Sequence, residues 1–427
     1  MRLGQLVIDT APLRSSPPFR LVFAVQVIAM VGTNLTVVAA NLQVFALTRS
    51  SLQVGLVSLA LGVALLFGLL AGGVLADRAG KRMIIVTTRL GMVAVLGVLA
   101  WNSALPEPSL TVIYVTAVLA GLVNGLGAPA LIAATPALVG ADNLAAAGAL
   151  TAITTQIGAM VGPLLAGFIA EAWGLAVCFA IDAATFLLGA LLLAFLPKLG
   201  PDGTAEHAHP VRSIAEGFAF LRQSRVVTGL LLIDVFAMVF AMPYVLFPEM
   251  GLAVFGGEFA TGLLYAAPAV GAFLAALTSG WTATVRASGK VLIGSVLLWG
   301  LAVIGFGLSP ALWLALVFLA LAGAADTISE ILRRTLLQHY TPERLLGRVG
   351  SMWLAQATTG TAAGNAVMGG LSRVLGSGMA LVTGGVACVV GVVGIAIALP
   401  ELRKATLSGP SAEESERVTE GCKVSFT

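Results

Sequence analysis

Charge is scarce in this chain. Only 10% of its 427 residues are Asp, Glu, Lys or Arg, against roughly a quarter in an ordinary soluble domain. With 58% hydrophobic residues and a mean hydropathy of +1.00, that scarcity excludes a soluble globular protein. Disorder is excluded too, because it needs the opposite composition. Cysteine is nearly missing: Cys178, Cys388 and Cys422 stand at no metal-ligand spacing and cannot form a disulfide framework. Of the three histidines, His207 and His209 fall in a polar loop and His339 in a basic one. No intramembrane metal site or His-based hydrolytic centre is therefore expected. The run Gly-x-x-x-x-Gly-Lys-Ser/Thr is absent, which leaves ATP-driven transport unsupported. The chain reads as neither an enzyme nor a cofactor protein, and no nucleic-acid partner or metal is expected.

Long apolar runs are what it has instead. They are continuous over about 20 residues, the length that crosses a bilayer as a helix, and do not alternate as in a membrane β-barrel. The expected fold is an all-α membrane protein of twelve transmembrane helices. Their ranges are 19–47, 52–76, 83–101, 110–132, 148–171, 173–196, 226–249, 258–281, 290–308, 310–331, 347–371 and 378–400. The first run follows Pro17-Pro18, carries Asn34 and Asn41, and reads as a retained span rather than a cleaved leader. The longest gap holds Pro197, Pro201, Asp202, Gly203, Glu206, His207, His209 and Pro210. The chain thus divides into an N-terminal segment 1–18, a six-helix bundle 19–196, a linker 197–225, a second six-helix bundle 226–400 and a tail 401–427. Within the linker, Ile214, Phe218 and Leu221 recur at helical spacing against Arg212, Glu216 and Arg222, the pattern of an amphipathic helix on a membrane surface.

Basic residues orient the spans. If both termini lie inside, the inner side collects all 23 Lys and Arg except Arg49 and Arg373 outside and Arg89 within the third helix. Arg333 and Arg334 are counted with the inner loops. The positive-inside rule then places both termini of a multi-pass membrane protein in contact with lipid in the cytoplasm; a monomer is the expected state.

The two halves repeat. Shifting Leu144–Gly174 by 202 residues pairs Gly148, Gly158, Gly162, Gly167 and Gly174 with Gly350, Gly360, Gly364, Gly369 and Gly376, and Leu144 with Leu346. Recurrent glycines on the fifth and eleventh helices imply the same close-packing task in two pseudo-symmetric bundles. Parallel repeats of this kind suit alternating access, with the site where the halves meet.

Two motifs carry the mechanics. Gly72-Gly73-Val74-Leu75-Ala76-Asp77-Arg78-Ala79-Gly80-Lys81-Arg82 lies between the second and third helices. Asp77 there can accept from a helix N-terminus and face an arginine, making a conformational latch with Gly73, Arg78, Gly80, Lys81 and Arg82. The plainer reading is a tight turn whose basic residues meet lipid phosphates. This run resembles the loop signature of the major facilitator superfamily. Its second-half counterpart, Gly280 to Lys290, keeps Arg286 and lacks the Asp. The second motif spans Gly158 to Gly167 on the fifth helix, where Pro163 bends the helix and Gly158, Gly162 and Gly167 make a flat face. It resembles the antiporter motif of exporters in that superfamily, with Ala166 in place of a glycine. The fourth-helix arginine of proton-coupled drug antiporters is missing; Gly121 to Gly127 offers Asn124 as a neutral substitute.

Ionisable residues inside spans cost about 2.5–3.5 kcal/mol at a helix centre and are functional candidates by default. They are Arg89, Asp182, Asp234 and Asp326, with Glu330 near a helix end. The resemblance implies that helices one, four, seven and ten line the cavity, which favours Asp234 and Asp326 as substrate or proton sites. Asp182 would then lie on a peripheral helix and bond a neighbour; Arg89 would snorkel or pair with Asp77; Glu330 would pair with Arg334. Asn34 and Asn41, seven residues apart on one helix face, and Tyr265 could bind a ligand, as could Tyr244, Trp299 and Trp353. Interfacial anchoring is the alternative for the aromatics.

Further runs are more particular: Gln53-Val54-Gly55-Leu56, Leu105-Pro106-Glu107-Pro108-Ser109-Leu110, Ala134 to Gly140 followed by Asn143-Leu144, Leu277-Thr278-Ser279-Gly280, and Thr341-Pro342-Glu343 with Leu346-Gly347-Arg348. Together they resemble the bacterial enterobactin exporter family. That resemblance implies a secondary active exporter that moves a catecholate siderophore out of the cytoplasm, with protons as the coupling ion. A multidrug efflux transporter for amphipathic drugs, of the same superfamily, is the alternative.

Overall fold

The computed structural model of the chain describes residues 13–14, 16–78, 80–139, 143–195, 220–222 and 224–407. Helices are built where the apolar runs lie, and their ends are set by local chemistry. Helix α1 covers Pro17–Thr48; the two prolines that head it sit in the first turn, where a missing N–H costs nothing. The Phe19 amide donates to Ser16 Oγ at 3.3 Å, and the helix stops at Arg49 in the left-handed region. Then follow α2 Ser51–Arg78, α3 Lys81–Ala104, α4 Leu110–Val139, α5 Leu144–Trp173 and α6 Leu175–Leu193.

Helix α7 covers only Arg225–Phe240. Beyond it the chain bends at Ala241–Pro243 and continues as a 3₁₀ turn Tyr244–Leu246, a short helix Phe247–Glu249 and a π-turn Met250–Val254. The continuous helix 226–249 expected from hydropathy is therefore broken. Pro243 and Pro248 lack the amide hydrogens that would carry an α-ladder through this stretch. Next come α8 Glu258–Thr278, a 3₁₀ turn Ser279–Thr284, α9 Ser288–Gly307, α10 Leu312–His339, α11 Glu343–Leu375, α12 Ser377–Ala398 and the short α13 Pro400–Lys404. Among the described residues, eleven stretches are long and apolar enough to cross a membrane. The twelfth helix, α11, has the length at 33 residues, but Arg348, Gln356, Thr359 and Asn365 make it markedly amphipathic. The surface helix expected within 211–225 and the tail beyond 407 fall largely outside the described residues, as do the side chains of Asp77 and Arg78.

The chain divides into two compact units. One holds the sequence up to Ala205 together with Tyr244–Ala269; the other holds Glu206–Pro243 and the sequence from Val270 onward. In the first unit α2 and α4 cross at glycines. A Cβ on Gly121 would lie 2.3 Å from the Leu61 carbonyl oxygen, and one on Gly125 would lie 2.5 Å from that of Leu65. Without lipid-excluding pressure between helices, such backbone contact is the main source of packing energy.

The 202-residue repeat is written into the backbone of each unit separately. Gly174 joins α5 to α6 at φ 86, ψ 164, and Gly376 joins α11 to α12 at φ 79, ψ 160, a conformation open to glycine and costly for other residues. A Cβ on Gly158 or Gly162 would strike Met30 or Asn34 of α1; one on Gly360 or Gly364 would strike Met238 of α7. Each repeat thus uses the same pair of glycines to press its fifth helix onto its first.

Candidate functional site

In the second unit the polar side chains of three helices converge. Asp234 of α7 and Arg333 of α10 form a salt bridge of 2.5 Å, Nη1 to Oδ1, with side chains 1% and 3% exposed. Arg333 Nη2 also donates to Ser329 Oγ at 2.7 Å. From α11, Gln356 Nε2 donates to Asp234 Oδ2 at 2.9 Å and to the Leu231 carbonyl at 3.2 Å. The Arg333 Nε–H has no hydrogen-bond partner among the described residues.

Reading from sequence placed Arg333 in an inner loop beside Arg334. The structure corrects this: both lie on α10, but one residue of helix is about a 100° turn, which sends them to different faces. Arg334 points outward, pairs with Glu330 at 2.8 Å and lies 4.8 Å over the Trp353 ring. Arg333 points inward. The signal was the spacing Asp326, Ser329, Arg333, three and then four residues apart, which lines one helical face. Asp326 is half-buried on that face, with Arg333, Glu330 and Asp234 as the charges around it.

The first unit holds the remaining candidates. Asn34 Nδ2 donates to the Met30 carbonyl of its own helix at 2.8 Å. Asn41 Nδ2 donates to Tyr265 Oη at 2.8 Å, and Tyr265 Oη donates to the Tyr244 carbonyl at 2.8 Å. The Tyr265 ring stacks on Tyr244 and meets Phe247 edge-on, with centroids 6.1 and 4.8 Å apart. This cluster fastens the irregular Tyr244–Val254 stretch to α1. Ser51 Oγ donates to Glu249, the Phe259 amide donates to Glu171 Oε2 at 3.1 Å, and Gln156 Nε2 donates to the Ala269 carbonyl at 3.2 Å. Asn41 and Tyr265 are therefore bonded to each other, while Asn124 is exposed on α4. Tyr265→Phe removes one acceptor and one donor from a buried chain. At about 0.5–1.5 kcal/mol per hydrogen bond it is expected to lower stability by about 1–3 kcal/mol. Thermal unfolding of the purified variant beside the parent measures this.

Asp182 joins α6 to α1, accepting from Thr36 Oγ1 at 2.7 Å and from Thr185 Oγ1 at 3.1 Å. Gly32 makes room for it: a Cβ there would lie 2.2 Å from Asp182 Oδ1. Arg89 is buried with its guanidinium 5.5 Å over the Phe186 ring and faces Asp182 electrostatically. In the glycine-basic turn, Gly80 precedes α3 and Lys81 is buried, its Nζ 3.4 Å from the Ala133 carbonyl of α4. Arg82 is half-buried and Gly73 has open space around it. On α5, Gly158 and Gly162 pack on α1, whereas Gly167 packs on Glu258–Gly262 of α8, and the Pro163 carbonyl lies 2.5 Å from where a Gly262 Cβ would be. An apolar cavity of 560 Å³ between α2 and α4 is lined by Leu56, Leu59, Val63, Phe67, Val118 and Leu122, with the Tyr114 hydroxyl bonded to Gln53 at 2.6 Å.

Spanning helices built as a repeat, with buried Asp234 and Arg333 paired and buried Asp182 and Arg89 facing each other, define a membrane transporter of the major facilitator fold. Solved structures agree on that fold. The chain is similar to the nucleoside transporter NupG, with a TM-score of 0.73 at 13% identity over 90% of this chain and 99% of that one. It is likewise similar to a D-xylose-proton symporter, with a TM-score of 0.70 at 14% identity over 91% and 99%. The family model of the transmembrane secretion effectors matches residues 8–420. Among named relatives, the enterobactin exporter EntS of Shigella boydii is 36% identical over 414 residues, 96% of this chain and 98% of its own. EntS of Citrobacter koseri is 37% identical over 373 residues, 86% and 88%. The chain belongs to the transmembrane secretion effector family of the major facilitator superfamily. It is a multi-span carrier of a small molecule, not an enzyme.

Proposed function

We propose that this protein exports a catecholate siderophore of the enterobactin type from the cytoplasm across the bacterial inner membrane, by alternating access and with protons as the coupling ion. The observation that carries the reading is the likeness to enterobactin exporters, which runs through 96% of this chain and 98% of the relative. Both termini face the cytoplasm, an orientation that the distribution of Lys and Arg supports. The chain acts as two six-helix repeats joined by the polar linker. Asn34 and Asn124, with Asp234 and Asp326, are the polar groups offered to ligand and proton. Asn41, Tyr265 and Tyr244, together with Ser51 and Glu249, fasten the Tyr244–Ala269 stretch to the first helices. The glycine-basic turn from Gly73 to Arg82 latches the inner side.

The test compares siderophore in the medium with siderophore inside iron-starved cells, with the gene deleted and then restored. Retention on deletion, reversed on restoration, is the expected result. Unchanged secretion overturns the siderophore reading and leaves drug efflux by the same fold.

A further inference from the structure

We infer that the exchangeable proton of this carrier resides on Asp326, and that Arg333 is the positioning residue that ties its charge to Asp234. Asp234 is neutralised by Arg333 at 2.5 Å, and Glu330 by Arg334 at 2.8 Å. Asp234 also accepts from Gln356, so its carboxylate is held from two helices. Of the three carboxyls on α7 and α10, Asp326 is the one left over. Among the described residues it has neither a hydrogen bond nor an ion pair. It is half-buried, whereas Asp234 is sealed at 1% exposure.

The charged groups facing Asp326 are Arg333 and Glu330 from its own helix and Asp234 from α7. Helix α9, packed along α10, brings none: its one titratable residue, Lys290, is exposed in the first turn. The Val270–Thr278 stretch of α8, whose Gly271 meets Ala320 of α10, has no titratable group, nor does the 3₁₀ turn that follows. From α11, Gln356 and Trp353 are polar but uncharged.

Depth matches the charge count. Along α10 a rise of about 1.5 Å per residue puts Asp326 roughly 21 Å from Leu312, inside a hydrocarbon layer about 30 Å thick, and Arg333 near its edge. An unpaired carboxylate at that depth is costly, and a neutral carboxylic acid is far less so. Proton binding therefore relieves Asp326, and proton loss leaves two carboxylates competing for one guanidinium. Arg333 Nε, the donor without a partner, is the group that a deprotonated Asp326 can draw on without breaking the bridge to Asp234.

The inference rests on the proposed export only for its coupling to cargo, so two measurements separate the two. The first is infrared titration of the reconstituted protein without cargo. The parent is expected to show a protonated-carboxyl band that follows pH. Asp326→Asn should lose it, Asp326→Glu should move it to another frequency, and Glu330→Gln should keep it. A band that persists in Asp326→Asn, or is unmoved in Asp326→Glu, overturns the assignment. The second measurement is enterobactin flux in proteoliposomes. Glu330→Gln is expected to answer an imposed pH gradient as the parent does, and Asp326→Asn is expected to lose that response. A gradient response retained by Asp326→Asn also overturns the inference. If the parent moves no enterobactin, the export reading falls, and the infrared result still decides where the proton sits.

Discussion

Arg333→Leu is expected to cost about 3–5 kcal/mol of stability, because it strands Asp234 as a buried carboxylate with its counter-charge gone. The magnitude comes from the asymmetry of buried pairs. Two charges taken out of water repay much of their desolvation to each other, but one alone repays nothing. The same reasoning makes the double variant informative. Asp234→Leu/Arg333→Leu removes both charges, and its stability is expected to lie within about 1–2 kcal/mol of the parent, since replacing a whole buried pair by apolar groups is often near neutral. A double-mutant cycle on the purified protein measures the difference. If the single variant is as stable as the pair, Arg333 is not held by Asp234. The intermediate change, Asp234→Asn, keeps a side chain that can bond Gln356 and leaves the guanidinium unbalanced, so it should destabilise as well as impair transport.

The second large effect is expected at Gly162. A Cβ there would lie 2.6 Å from Asn34 Cβ and 2.8 Å from the Val31 carbonyl, so Gly162→Leu must push α5 off α1. Overpacking of a close-fitting interior typically costs about 1–3 kcal/mol, and a backbone carbonyl that cannot move aside puts this site at the upper end. Gly364→Leu should behave alike, its Cβ falling 2.0 Å from the Met238 carbonyl. Loss of transport with both variants, alongside lowered thermal stability, would establish that the repeated glycines hold each unit together. A Gly162→Leu protein that is stable and fully active would show that α5 does not need this approach to α1.

Most of the helices were legible because an apolar run of bilayer length has few alternatives. The glycine repeat was legible for a related reason: spacing survives without side chains to read. What hydropathy could not show was the interruption at Ala241–Pro243. Leu, Val, Phe and Met give the same apolar signal in an α-helix as in 3₁₀ and π turns, and the only warning was Pro243 with Pro248. Arg333 was hidden differently. Next to Arg334 it read as half of a basic doublet, and only the angular step between neighbours on a helix sends one to an exposed pair with Glu330 and the other inward. The bond between Asn41 and Tyr265 was beyond sequence altogether, since 224 residues separate them. Their chemistry marked them as polar groups in apolar runs, but not as each other's partners.

The membership of Tyr244–Ala269 in the first compact unit has a consequence for biosynthesis. Helices α1 to α6 are fully translated when Ala205 has been made, yet the groups that bond Asn41, Ser51, Gln156 and Glu171 are not translated until Tyr244 to Ala269 follow. At about 5–20 residues per second that interval lasts roughly 3–13 s. Throughout it the nascent first half stands in the bilayer with polar side chains awaiting partners from the second. The insertion machinery must therefore shelter an unfinished half-carrier, and a pause in translation within the polar linker would prolong that exposure.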